Sequence, residues 1–324
     1  MKNEIKIKGS FDKIKQKHIL TVFFSSFAIC LILRFFQVTK LIDHSTGFFI
    51  KDSFITVLFY LVLFVSSTMM LIMSFLSSDN RKLDDGALKK NKPLAIISLV
   101  LCVSMFIDFC YQGLTSLTAK SASQVNNIFP LTAVNSFTAK FQTIFALLSL
   151  IYYAIIAVRL FKGKKIVGNY KLLCIVPVGW AMVKLISLFA TQISFIRVSD
   201  LFLEIVTDCF AIVFLLSYAQ CISGVYENAA RWRVTGAGLA FSLVALCTQI
   251  PRLVFTIFRK SNFVNSEYII DYAVLMLGVF AVTLIFTVFK RTKYKDNLAE
   301  EFIIKVPEED DDNDPFGLPN SILR

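Results

Sequence analysis

The stretch 54–76 reads FITVLFYLVLFVSSTMMLIMSFL and holds no charged residue. A hydrocarbon core about 30 Å thick is crossed by roughly 20 helical residues rising 1.5 Å each, so this run is long enough to span a bilayer. It is apolar without a break, whereas a barrel strand is about ten residues of alternating character, so the span is a helix. Seven further runs of the same kind flank it, at 19–36, 93–111, 141–158, 172–191, 201–219, 236–258 and 269–289. The expected fold is an all-α polytopic transmembrane bundle of about eight spans. A basic N-terminus, 1–18, precedes it, and a tail, 290–324, follows.

The whole-chain composition agrees. Of 324 residues, 56% are hydrophobic and 18% charged, against roughly 25% charged in ordinary soluble domains. That apolar excess is more than a soluble globule can bury, and it must face lipid. The first run follows a lysine-rich segment as a signal peptide would. It carries Arg34 and no small-residue cleavage motif, so it is expected to stay as a helix.

Orientation follows from counting Lys and Arg in alternate connections, because positive charge is retained on the cytoplasmic side. Of the 34 basic residues, 24 fall in the N-terminus, the tail and the connections 77–92, 159–171 and 220–235; 7 fall in the opposite set. Both termini are therefore expected in the cytoplasm. The net charge of +11 reads as a topology signal with attraction to anionic headgroups, and no nucleic-acid role is expected.

No connection is long enough for a folded soluble domain. The longest external one, 112–140, is rich in Ser, Thr and Asn and is expected to be a tether. The tail turns from a basic cluster at Lys290, Arg291, Lys293 and Lys295 to an acidic run from Glu308 to Asp314, the pattern of a solvated, disordered segment. Its functional alternative is docking of a cytoplasmic or membrane protein partner.

The seven cysteines lie in or beside spans without a Cys-x-x-Cys pair, as expected of buried free thiols. His18 and His44 sit on opposite sides, so no metal site is expected, and no cofactor either. The sequence contains no phosphate-binding loop, zinc-protease motif, nucleophile elbow or dinucleotide fingerprint. Neither a catalytic residue nor an enzymatic activity is expected. The absence of an Asn-x-Ser/Thr sequon fits a bacterial cell membrane.

Ionisable side chains inside spans cost a few kcal/mol each, about 2.5–3.5 at mid-membrane on insertion scales, and so mark functional positions by default. Seven occur: Arg34, Asp108, Lys184, Glu204, Asp208, Arg252 and Asp271. On the oriented spans all seven fall in the outer half. Glu204 and Asp208 are one turn apart on one face, and Lys184 on the preceding span lies at the depth of Asp208. Arg252 follows Pro251 and is placed to reach Asp271 on the next helix. Arg34 and Asp271 are expected to snorkel at the rim or pair there.

Two readings follow. In the first, spans 1, 3, 5, 6, 7 and 8 enclose an outward-facing polar cavity for a small polar or zwitterionic ligand. Asp108, Lys184, Glu204, Asp208 and Arg252 bind that ligand, as in a transporter. The two cations contact anionic groups; the acidic pair holds cations or protons. In the second, the same groups are structural ion pairs at the outer rim of a sensor or an accessory subunit of an envelope complex.

Overall fold

The computed structural model describes residues 16–42, 49–50, 53–77, 91–122, 136–164, 171–190, 198–223, 227–258 and 270–287. Eight helices run through them: α1 Gln16–Lys40, α2 Phe54–Leu76, α3 Lys92–Ala122, α4 Ser136–Phe161, α5 Val176–Ala190, α6 Val198–Ser223, α7 Glu227–Ile257 and α8 Tyr272–Thr287. Each expected span coincides with one of them. Taking α5 together with the 3-10 turn Lys171–Ile175 that precedes it, seven are long and apolar enough to cross a membrane, and α8 is shorter. The chain is a multi-pass membrane protein. The N-terminus before residue 16, segment 123–135 of the expected tether and the tail from 288 onward lie outside the described residues.

Local sequence explains the helix starts. Ser53 caps α2 by accepting from the Ile55 amide at 3.3 Å, and Asn91 caps α3 through the Leu94 amide at 3.4 Å; each supplies an acceptor to an otherwise unpaired donor. Pro177 sits in the first turn of α5, where its missing N–H costs no bond, and a single 3-10 turn, Lys171–Ile175, leads into it. Three boundaries differ from expectation by five residues or more: α4 begins at Ser136 where 141 was expected, α7 at Glu227 where 236 was expected, and α3 ends late. Helix α3 continues to Ala122, beyond the apolar run that ends near Tyr111; no Pro stands between Gln112 and Ala122 to stop propagation into water.

Helix α7 is the hub. It packs on α1, α2 and α6, and 67% of its apolar window is buried against 22% for α1. Its sequence shows why: Gly236, Ala237, Gly238 and Ala240 let neighbouring backbones approach, which is how helices associate when lipid removes the hydrophobic drive. A Cβ at Gly236 would lie 3.2 Å from the Leu71 Cα and from the Ser74 Cβ of α2. Hydroxyls tie the same contacts. Ser74 donates to the Trp232 carbonyl at 2.7 Å, and Ser242 to that of Gly278 on α8 at 2.9 Å.

Around this hub an aromatic core forms from Phe214 and Tyr218 of α6, Phe241 of α7, Phe280 of α8 and Tyr153 of α4. Large apolar side chains such as Ile32, Phe64 and Phe75 point outward instead, as a lipid-facing surface requires. Among the described residues no disulfide forms. Cys30, Cys174, Cys221 and Cys247 are buried as expected, whereas Cys110 and Cys209 lie exposed on outer helix faces.

Alternation of the helices brings the C-terminal ends of α1, α3, α5 and α7 together with the N-terminal ends of α2, α4, α6 and α8. At this end a bridge joins Ile42 to Phe49 across the α1–α2 connection. All the intramembrane charges gather here.

Candidate functional site

Helix α6 carries the site's acidic stripe. Asp200, Glu204 and Asp208 recur every fourth residue, which places them one above the other on a single face. Asp200 occupies the first helical turn, where the positive end of the helix dipole favours a carboxylate. The sequence reading missed Asp200, leaving it in the 192–200 connection just before the apolar run. The four-residue spacing back from Glu204 was the signal that would have found it.

The upper part of the stripe binds two arginines. Asp200 accepts from Arg34 of α1 through one oxygen and from Arg252 of α7 through the other, the latter at 2.8 Å. The same Arg252 terminal nitrogen also reaches Glu204 at 2.8 Å. Arg34 donates to Gln37 one turn along its own helix and lies over the Phe59 ring of α2, 5.7 Å from its centroid. Two expectations are corrected here. Arg34 forms an ion pair, as one alternative expected, but does not snorkel at the rim: it is 2% exposed and packed inside the bundle, because Asp200 offers a partner and Phe59 a face. Arg252 turns toward α6, its close neighbour, and pairs with Asp200 and Glu204, not with Asp271.

The lower part of the stripe binds Lys184 of α5. Its ammonium stands 3.3 Å from Asp208 Oδ1, the partnership expected from sequence, and 2.5 Å from Asp271 Oδ2. It also lies 5.5 Å from the centre of the Trp180 ring. Asp271, expected at the rim, is instead the cap of α8. Its Oδ1 accepts from the Val274 amide at 2.9 Å, its carbonyl from the Leu275 amide at 3.0 Å, and its own amide donates to Gln249 Oε1 at 3.1 Å. Capping and ion pairing use different oxygens of one carboxylate, which fixes the start of α8 against α5 and α7.

Asp108 of α3 stands apart from the cations. The Trp180 indole N–H donates to its Oδ2 at 2.9 Å, and the Gln112 amide lies 3.4 Å from its Oδ1. Both donors are neutral.

Between these groups lies a cavity of about 300 Å³, lined among others by Asp108, Lys184, Glu204, Asp208, Arg252 and Asp271. Its walls come from α3 to α8, with Gln142 supplying the α4 side. Helix α1, expected among the enclosing helices, contributes Arg34 to the ion-pair chain but no wall. Gln112 and Gln249 line the cavity with Gln142. The five ligand-binding candidates and Asp271 thus converge on one space. The charge tally changes as well, since with Asp200 three cations face five carboxylates rather than four. Among the described residues no group of His, Cys, Asp and Glu has the arrangement of a metal centre.

No protein-family model matches the chain, and neither the curated proteins nor the solved structures provide a match.

Proposed function

We propose that this multi-pass membrane protein binds a small polar ligand from the external side, in the manner of an outward-open transporter. One observation carries the reading: six charged side chains from five helices line a single cavity at one end of the bundle. Structural ion pairs alone require no such space, because well-packed pairs would close on one another. The cavity end is the end whose connections hold few basic residues. The positive-inside rule then assigns it to the outside of a cell membrane and both termini to the cytoplasm.

The site reads as a binding site and not a catalytic one. Glu204 and Asp208, the carboxylates one turn apart on α6, are each held by a cation. A second reading draws on the same pairs. Every cation of the site joins different helices, as expected of a sensor or accessory subunit whose outer rim is braced by ion pairs. Reporters fused near Asp85 and Gln124 test the orientation both readings assume. We expect cytoplasmic activity at 85 and external activity at 124; a common side for both contradicts the eight-span map.

A further inference from the structure

Resting on the binding reading above, we infer that the cavity takes a small organic cation, an amine or quaternary ammonium, in preference to an anion or a neutral solute. The two cations that line it are already engaged. Lys184 is shared by Asp208 and Asp271, and Arg252 by Asp200 and Glu204. An entering anion has to compete with carboxylates held at contact distance, and breaking such a pair leaves a charge uncompensated.

The carboxylates are less completely matched. Among the described residues Asp108 receives only neutral donors, the Trp180 indole and the Gln112 amide. Asp208 lines the cavity and is 2% exposed, yet its Oδ2 is buried with no hydrogen-bond partner among the described residues. A buried carboxylate oxygen without a donor costs free energy that a cationic donor recovers. Four carboxylates against two cations on the lining give the cavity a negative field, which low-dielectric walls strengthen.

The remaining wall fits an organic ion better than a bare metal ion. Ile107, Leu188 and Val274 supply apolar surface, and Tyr111 and Tyr272 supply rings, whose faces attract ammonium groups. The volume of about 300 Å³ lies at the small end of ligand pockets, suited to a compact amine.

The test is thermal unfolding of the purified full-length protein in detergent at constant chloride. Choline and ethylammonium are compared with sodium, butyrate, phosphate and 3,3-dimethyl-1-butanol, the uncharged isostere of choline. Choline or ethylammonium is expected to raise Tm saturably, as selective binding to the folded state requires, while the other solutes leave it unchanged. Asp208→Asn and Asp108→Asn, which keep side-chain shape, are each expected to weaken that response by about tenfold or more. An equal shift with the isostere or sodium, or stabilisation by butyrate or phosphate, overturns the cationic preference; so does an amine response unchanged in both variants. Binding of the isostere, butyrate or phosphate would leave the binding reading standing. No response to any amine also overturns the inference. The binding reading fails with it only if, in addition, no solute of any class acts and the cavity is closed to water-borne reagents.

Discussion

Replacing Asp200 with alanine is expected to destabilise the protein far more than replacing Glu204, its neighbour one turn along α6. Its carboxylate lies between two guanidinium groups, one from α1 and one from α7, and its side chain is 4% exposed. Removal leaves Arg34 without its carboxylate in an interior where its side chain is 2% exposed. Stranding one member of a buried pair costs about 3–5 kcal/mol. Glu204→Ala is expected to cost far less. Glu204 is more exposed, at 19%, and Arg252 keeps Asp200 when it is lost. Unfolding of the two variants in the same detergent checks the ranking. Equal losses would show that Asp200 does not bridge the two arginines.

The second large effect is expected at Lys184. Its ammonium is shared by Asp208 and Asp271, so Lys184→Met leaves the buried Asp208 carboxylate and the partly exposed one of Asp271 close together between α6 and α8 with no cation between them. The cost is again about 3–5 kcal/mol, and Asp208→Asn added to that variant is expected to return part of it by removing one of the repelling charges. Exchanging the charges, Lys184→Asp with Asp208→Lys, is expected to fall short of wild type. The carboxylate then at position 184 faces Asp271, and the ammonium has moved to α6. Full recovery by the exchange would mean that the Lys184–Asp208 pair acts alone and that Asp271 is not part of the group. Double-mutant cycles on these positions separate the two cases.

How much of this was legible in the chain depends on the distance over which each feature is decided. Span positions are local: an uncharged run such as 54–76 has one physical solution in a bilayer, and all eight helices lie where their apolar runs place them. The Lys184–Asp208 partnership was also legible, because the two residues lie on consecutive helices at matching depth. Arg252 was not assignable in that way. Its choice between Asp271 and Asp200 rests on how α7 packs, and α7 turns Gly236 to α2 and Gly238 to α6 and α8 while also lying against α1. Arg34 was legible as an ion-pairing residue, but not its place inside the bundle, for the same reason. Its depth near the helix end is that of a snorkelling residue, and only the approach of α6 shows that a carboxylate awaits it inside. Asp200 was lost to a boundary placed one residue late, although the 200, 204, 208 spacing was present in the sequence. Asp271 combined two signals, a position before an apolar run and a charge, of which the capping one was passed over.

The central claim is that these charges surround a space open to the external solution, and a cysteine in its wall tests that most directly. Ser187 of α5 lines the cavity beside Lys184. In intact cells, Ser187→Cys is expected to react with a charged, membrane-impermeant methanethiosulfonate added outside, above the level set by the native cysteines, and choline or ethylammonium is expected to slow the reaction. A Ser187→Cys protein that stays unreactive from outside, or reacts only when the reagent enters from the cytoplasm, would contradict the account.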